Sequence, residues 1–313
     1  MADLAVVIVT WNSRDHILDA LQSLFADLDS NGPSAEVYVI DSASSDGTAE
    51  RVASAFPQVK LIASDKNLGF AKANNVALCQ IGFGQPDASD LPSAVYLLNP
   101  DTITQPGATR KLYDALMANP RYGLVGAQLS YEDGSFQHGA FAFPGLRQLW
   151  VEFFPTPGRF IEGCFNGRYP RALYEAEQPF PVDFTLGATM MLRREVVQKT
   201  GMFDEQFFMY CEEVDWAWRI HEAGWDVYCV PAAQVVHLAG KSTSQVRPQS
   251  IVNLWRSRLR LFAKHYPAWK FRVARWMLAL GIRRKLRQIA QSADNQPLVD
   301  AYQTVYEMAR NQP

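Results

Sequence analysis

The chain has 313 residues, of which 48% are hydrophobic and 20% charged, with a formal net charge of -2. That length holds one large domain or two ordinary ones, and the composition is that of a globular protein with ample core. No apolar run approaches the roughly 18 residues that span a bilayer, and the N-terminus enters a strand without the charged region and cleavage site of a signal peptide. Cys79, Cys164, Cys211 and Cys229 lack CxxC spacing, which favours reduced, buried thiols in a cytosolic chain over disulfides or zinc.

Leu4 to Val9 is a continuous apolar, β-branched run, the pattern of a strand buried on both faces. It ends in the polar Thr10-Trp11-Asn12-Ser13, after which Ile17, Leu18, Leu21, Leu24, Phe25 and Leu28 follow helical spacing. The unit repeats. Val37 to Ile40 reads as a strand, Asp41 to Gly47 as a polar loop, and Thr48 to Phe56 as a helix. Val59 to Ala63 is a third strand, followed by the turn Asn67-Leu68-Gly69 and a helix over Phe70 to Ile81. A polar linker near Pro86 to Pro92 leads to a strand over Ser93 to Leu98, whose tip is Asn99-Pro100-Asp101-Thr102. A helix over Ala108 to Met117 and a strand over Tyr122 to Leu129 close this half.

Strands alternating with helices predict a mostly parallel sheet wound by right-handed crossovers. The strands end in polar residues, at Thr10 and Asn12, Asp41, Asp65 and Asn67, and Asp101. Ligands bind outside the carboxyl ends of strands in such sheets, so these tips predict a nucleotide pocket. Asp101 would hold a divalent cation against a phosphate there, or else cap the helix that follows. There is no G-x-G-x-x-G after the first strand and no G-x-x-x-x-G-K-[ST], which disfavours dehydrogenases and P-loop NTPases.

The pattern changes after Leu129. Asp133-Gly134 signals a tight hairpin. Residues 144 to 181, rich in aromatics, Pro and Gly, predict a variable surface region, a lid or an acceptor cleft. Val182 to Leu192 reads as one strand with small residues where a ligand could approach, and Glu195 to Thr200 as a short helix.

Glu212, Glu213 and Asp215 open a helix that ends at Gly224, with Glu212, Asp215 and Arg219 on one face and Glu213 elsewhere. Acids at a helix N-terminus are stabilised by its dipole. Beside Phe207, Phe208 and Tyr210 they would also lie close to the core, where a carboxylate has a raised pKa and can act as a general base. Val235-Val236-His237 is a strand tip ending in a metal-ligand candidate, followed by a Gly turn with Lys241 and Ser242. From Ile251 to Ala290 there are eleven Lys/Arg and no Asp/Glu, interleaved with Trp and Phe. This segment predicts either helices at an anionic membrane surface or a helical pair packed on the rest of the chain. A last helix is expected over Leu298 to Arg310. No DNA- or RNA-binding motif is present, so nucleic acid is not an expected partner.

The motifs Thr10-Trp-Asn-Ser, Asp41-x-x-Ser-x-Asp46-Gly, Asn67-Leu-Gly-Phe-Ala-x-x-Asn74-Asn, Leu98-Asn-Pro-Asp101, Glu212-Glu-x-Asp-x-x-x-Arg219 and His237-x-x-Gly-x-Ser occur in this order. Together, over about residues 3 to 245, they resemble glycosyltransferase family 2, and within it the bacterial rhamnosyltransferase-like enzymes of cell-surface polysaccharide synthesis. The resemblance implies a GT-A α/β fold with a smaller acceptor-side sheet. Residues 1 to 130 would form the nucleotide half, 131 to 245 the acceptor half, and 246 to 313 a basic helical extension. It implies inverting, metal-dependent transfer from a nucleoside-diphosphate sugar, with dTDP or UDP as carrier, to a glycan or lipid-linked acceptor. The place implied is the cytoplasm or the inner face of the plasma membrane.

By position, Thr10, Asn12 and Asp41 would bind base and ribose, and Asn67, Gly69 and Asn74 would line the nucleotide side. Arg219 joins the nucleotide-binding set, while Asp215 joins the catalytic acids. Asp101 and His237 would hold Mg²⁺ or Mn²⁺. Asn99 stands where the family's first metal-site acid is usual, which leaves fewer charged ligands. The base is expected at Glu213, the second member of the acid pair, with Glu212 the alternative. L-rhamnose from dTDP-rhamnose is the first expectation, ahead of UDP-galactofuranose, UDP-N-acetylglucosamine or UDP-glucose donors. A non-catalytic sugar-nucleotide scaffold is the reading of another class, against which intact Asp101, Glu213 and His237 speak.

Overall fold

The structure is a computed structural model that describes residues 2–85, 90–238, 247–289 and 295–311. The expected turn with Lys241 and Ser242, the division expected between 245 and 246, and residues 86 to 89 of the linker lie outside the described residues. In the first half, β1 (Leu4–Thr10), α1 (Ile17–Asn31), β2 (Ala35–Ser42), α2 (Thr48–Ala55), β3 (Lys60–Ser64) and α3 (Gly69–Ile81) alternate. Then come β4 (Ala94–Leu98), β5 (Thr102–Thr104), α4 (Ala108–Ala118) and β6 (Tyr122–Ser130). The middle of the chain holds β7 (Phe136–Gln137), β8 (Ala140–Phe141), α5 (Leu146–Phe153), α6 (Gly158–Ile161) and α7 (Arg171–Glu175). There follow β9 (Phe180–Val182), β10 (Phe184–Thr185), β11 (Thr189–Arg193), α8 (Arg194–Thr200), α9 (Glu212–Glu222) and β12 (Asp226–His237). Three helices end the chain: α10 (Arg247–His265), α11 (Ala268–Ile289) and α12 (Gln296–Asn311).

The main sheet runs β3-β2-β1-β4-β11-β6-β12-β5, with β7 on β6 and β9 on β12; β8 and β10 form a separate two-stranded sheet. Neighbours β3, β2, β1 and β4 are parallel, as are β6 and β12, while β11 lies antiparallel between β4 and β6. Both faces are covered. Leu4, Val6 and Ile8 pack with α1 residues Leu21 and Leu24 on one side, and Ala5 and Val7 pack with Leu78 and Trp216 on the other. Period-two alternation with two apolar faces is why β1 reads as an unbroken apolar run.

Two expectations are corrected. The strand expected over Val182 to Leu192 is divided among β9, β10 and β11, which pair with β12, with β8, and with both β4 and β6, and Leu186-Gly187-Ala188 separates β10 from β11. The segment 144 to 181, expected as a variable surface region, carries α5, α6 and α7. Gln148 Oε1 accepts from Gly145 N at 2.9 Å and starts α5, whose Leu149 and Phe153 are buried. Cys211 and Cys229 are buried thiols, but Cys79 and Cys164 are exposed.

The C-terminal helices pack rather than float. Trp255, Leu259 and Phe262 of α10 share a core with Met277, Leu278 and Ile282 of α11, Tyr302 and Val305 of α12, and Leu149 and Phe153 of α5. Gly281 permits the α5 crossing, since a Cβ there would sit 2.3 Å from Phe153 Cγ. Arg275 donates to the Ala309 and Arg310 carbonyls and caps α12. No described helix is long and apolar enough to cross a membrane.

Candidate active site

A cleft of about 260 Å³ opens at the carboxyl ends of β1, β2 and β4. Asn99, Pro100 and Asp101 line it from the tip of β4 and His237 from the tip of β12. The chain brings Asp101 and His237 together through the short β5, which pairs antiparallel with the end of β12 in the register His237↔Thr102. Leu238 N donates to Asp101 O at 2.9 Å and locks the two tips. His237 Nε2 then lies 3.5 Å from Asp101 Oδ1, and both residues are almost fully buried.

The imidazole is oriented from behind, with Nδ1 3.3 Å from Gln137 Oε1. In the tautomer that donates from Nδ1 to that oxygen, Nε2 presents its lone pair toward Asp101. Two electron-pair donors then face one another across the cleft, which suits a cation between or beside them. Among the described residues no group of three His, Cys, Asp or Glu converges. The donor set therefore fits a cation that completes its shell with ligand oxygens and water, and not an all-protein cage.

The opposite end of the chemistry is set by backbone strain. Tyr210 and Cys211 adopt φ values of 70° and 66° just before α9. Non-glycine residues there cost roughly 1–2 kcal/mol each, and the surrounding structure must hold them. Gly69 provides part of that hold. At φ 72° its missing Cβ lets α3 meet the loop, because a Cβ would lie 2.3 Å from Phe208 O. Phe70 N donates to that same oxygen at 2.9 Å. The turn is completed by Asn67 Oδ1, which accepts from Gly69 N at 3.0 Å.

The two left-handed residues turn both Glu212 and Glu213 into the cleft. Glu212 is 5% exposed, and its Oε2 has no hydrogen-bond partner in the protein. Burial, and then the neighbouring Glu213, hold its carboxyl well above the usual carboxylate range. Burial also pushes Glu213 up to about 7. Two adjacent carboxyls that titrate this high can hold a proton near neutrality and accept another group's proton as pH rises.

The structure brings Asn67, Gly69, Asn99, Asp101, Glu212, Glu213 and His237 to this cleft. It does not bring all the expected residues. Thr10 and Asp41 lie behind the wall, where Asp41 accepts from Thr10 Oγ1 at 2.9 Å and from Ser44 Oγ at 2.6 Å, tying the tips of β1 and β2. Asn12 accepts from Ser45 N at 2.9 Å, and Asn74 donates to Phe70 O within α3.

Asp215 and Arg219 also face away, so the expectation that Glu212, Asp215 and Arg219 share a face is corrected. Asp215 Oδ2 accepts from Arg219 Nε at 3.0 Å, and its Oδ1 lies 2.7 Å from both Lys264 Nζ and His265 Nε2. Burial would raise its pKa, but hydrogen bonds from His265 and Lys264 and the charge of Arg219 hold it down to about 2. A carboxylate held by three donors in this way clamps α9 to α10, and it is fully buried and does not line the cleft. Arg219 further donates to Met202 O at 2.8 Å.

Several cleft residues were not among the expected site residues: Val9, Ser42, Phe70, Leu186–Ala188 and Met209. The small residues within the run 182 to 192 were their one visible trace. The left-handed geometry at Tyr210 and Cys211 leaves no signature in residue type.

A family model described as Glycosyl transferase family 2 matches residues 5–201. The N-acetylglucosaminyl-diphospho-decaprenol L-rhamnosyltransferase of Mycobacterium tuberculosis (strain CDC 1551 / Oshkosh) is 30% identical over 282 residues, covering 88% of this chain and 89% of its own. Rhamnosyltransferase WbbL of Escherichia coli (strain K12) is 26% identical over 173 residues, 55% of this chain and 61% of its own. Among solved structures, a mannosyltransferase from Pyrobaculum calidifontis in complex with GDP-Man and Mn²⁺ has a TM-score of 0.52 at 18% identity. The match covers 98% of this chain and 85% of that one, and the likeness is one of fold.

Proposed function

The chain belongs to glycosyltransferase family 2 and has a GT-A fold, and from that premise we propose that its cleft transfers L-rhamnose from dTDP-rhamnose, with inversion, to a hydroxyl of a lipid-linked or growing cell-surface glycan. The reading places the reaction at the inner face of the membrane. One observation carries it: the Asp101–His237 pair and the Glu212–Glu213 pair line the same cleft. The choice of rhamnose and of a lipid-linked acceptor is supported by the name of the mycobacterial relative.

Asp101 and His237 are the residues that would hold Mg²⁺ or Mn²⁺, with Gln137 keeping the imidazole in its ligating tautomer. When bound, the ion supplies Lewis-acid neutralisation of the charge that builds on the departing diphosphate. Asn99, which lines the same cleft, would offer a neutral oxygen where an acid would add a second charge.

Glu213 takes the proton of the acceptor hydroxyl while that oxygen bonds to the anomeric carbon. The bond from the anomeric carbon to the diphosphate breaks, and its electron pair leaves with the diphosphate oxygen. Glu212, kept protonated beside it, avoids a second negative charge in the pocket. Trp11, Phe70 and Tyr210 give the cleft apolar walls that exclude water from the reacting carbon.

A thermal-shift panel tests the donor, because a ligand that binds only the folded state raises its stability. dTDP-rhamnose with Mn²⁺ is expected to raise the melting temperature most, ahead of UDP-galactofuranose, UDP-N-acetylglucosamine, UDP-glucose and GDP-mannose. Selection of another sugar nucleotide would replace the donor. The absence of any shift would remove the sugar-nucleotide reading. Mass spectrometry of a lipid-linked acceptor then reads the transfer itself.

A further inference from the structure

Helix α11 buries one face and leaves the other bare. Ala274, Met277, Leu278 and Ile282 face the helical core. On the outer side, Trp269, Val273, Trp276 and Leu280 fall at helical spacing and are all exposed, Trp269 by 59% and Trp276 by 65%. No large hydrophobic side chain among the described residues is more exposed than these two indoles. Nothing in the packing of the described residues explains them.

The same stripe is flanked and continued by cations. Arg272 lies between the indoles, and Arg283, Arg284 and Arg287 extend the exposed face toward the C-terminus. None of these four forms a salt bridge with a described residue. Beside the stripe, α11 and α12 bound a groove of about 370 Å³, lined by Trp276, Leu280, Arg272, Arg283, Tyr306 and Arg310. Its lining combines apolar side chains with guanidinium groups.

We propose that the outer face of α11, with the α11–α12 groove, is a docking surface for an anionic phospholipid bilayer. Indoles settle at the boundary between headgroups and acyl chains because one edge is apolar and the N–H is polar. The arginines meet lipid phosphates, and the groove has room for a headgroup. A second copy of the chain is a poorer occupant. Residues 251 to 290 contain no acid, so a two-fold contact through this stripe would set arginines against arginines. The inner faces of α10 and α11 are committed to the protein core, so docking is by side-on insertion of the stripe and not by a free amphipathic arm.

The groove shares no lining residue with the cleft, and the test does not read sugar transfer. The full-length protein is sedimented with phosphatidylcholine vesicles, with and without phosphatidylglycerol. Binding is expected only with the anionic lipid, decreasing with salt and accompanied by a blue shift of tryptophan fluorescence. Two variants separate the contributions, Trp269→Ser/Trp276→Ser and Arg283→Glu/Arg284→Glu. Both change exposed side chains, so each is expected to keep the wild-type melting temperature. Loss of two surface cations corresponds to roughly thirtyfold weaker binding, and reversal to more. Equal binding to neutral vesicles, or unchanged binding by both variants, would overturn the proposal. So would a dimer in lipid-free sedimentation that the tryptophan variant abolishes, which would assign the face to a second copy.

Discussion

His237 Nε2 stands 3.5 Å from Asp101 Oδ1 because the three residues after Asp101 turn back as β5 against the last three residues of β12. The pairing Val235↔Thr104, Val236↔Ile103, His237↔Thr102 leaves no freedom in which side chain faces the cleft. A one-residue slip would turn His237 to the opposite face. The juxtaposition of Asp101 and His237 is thus a consequence of strand register.

The acid pair at the start of α9 makes a kinetic prediction. Glu213→Gln is expected to keep nucleotide binding and to lower kcat by about 10²–10⁴-fold. In the native protein kcat/KM should rise with pH through about 7 as Glu213 loses its proton. That limb should vanish in Glu213→Gln. Turnover unchanged by the substitution would move the proton transfer to Glu212.

The same carboxyl has a stability cost of known sign. Glu213 binds its proton more tightly folded than unfolded, so the folded state loses ground as pH rises from about 4.5, its ordinary value, through about 7. Glu213→Gln removes that loss and should stabilise the protein by roughly 1–3 kcal/mol at pH 8. Urea denaturation at pH 5 and pH 8 measures the difference, which should be small at the lower pH.

Asp215 behaves in the opposite sense. Its pKa is held near 2 when folded, below its unfolded value of about 3.8. Its contribution is therefore complete above about pH 4 and is lost as pH falls toward 2. Asp215→Asn weakens the contacts with Arg219, His265 and Lys264, the last of which keeps Asp204 as a partner, and should cost about 1–3 kcal/mol. Because the clamp joins α9 to α10, this variant should also loosen the Glu212–Glu213 turn, read as a fall in kcat with little change in KM.

Gly69→Ala tests the hold on the strained loop. The added methyl meets the Phe208 carbonyl at 2.3 Å and the residue's φ is 72°, so neither the loop nor α3 can keep its place. A loss of about 2–4 kcal/mol is expected. A crystal structure of the variant should have Tyr210 displaced from the cleft.

Much of this was legible in residue order. Runs such as Leu4 to Val9, apolar on both faces, announced buried parallel strands, and of the polar tips after them Asn67 and Asp101 line the cleft, whereas Thr10 and Asp41 tie strand ends together. Asp101, Glu213 and His237 were findable because a strand tip or a helix start limits where a side chain can point. What could not be read depended on pairing between distant segments. The insertion of β11 against its neighbours, and the break at Leu186 to Ala188, follow from which strands meet and not from local pattern. Asp215 looked like its neighbours in sequence, and only the position of α10 marks it as a clamp. The basic segment 251 to 290 likewise reads as one amphipathic stretch, although α10 faces inward and α11 carries the exposed indoles.

The most direct measurement is calorimetric titration of dTDP-rhamnose into the native protein, Asp101→Ala and His237→Ala, each with and without Mn²⁺. The account predicts that Mn²⁺ tightens binding to the native protein by about 10–100-fold and does nothing for either variant. The same Mn²⁺ enhancement in Asp101→Ala as in the native protein would contradict it.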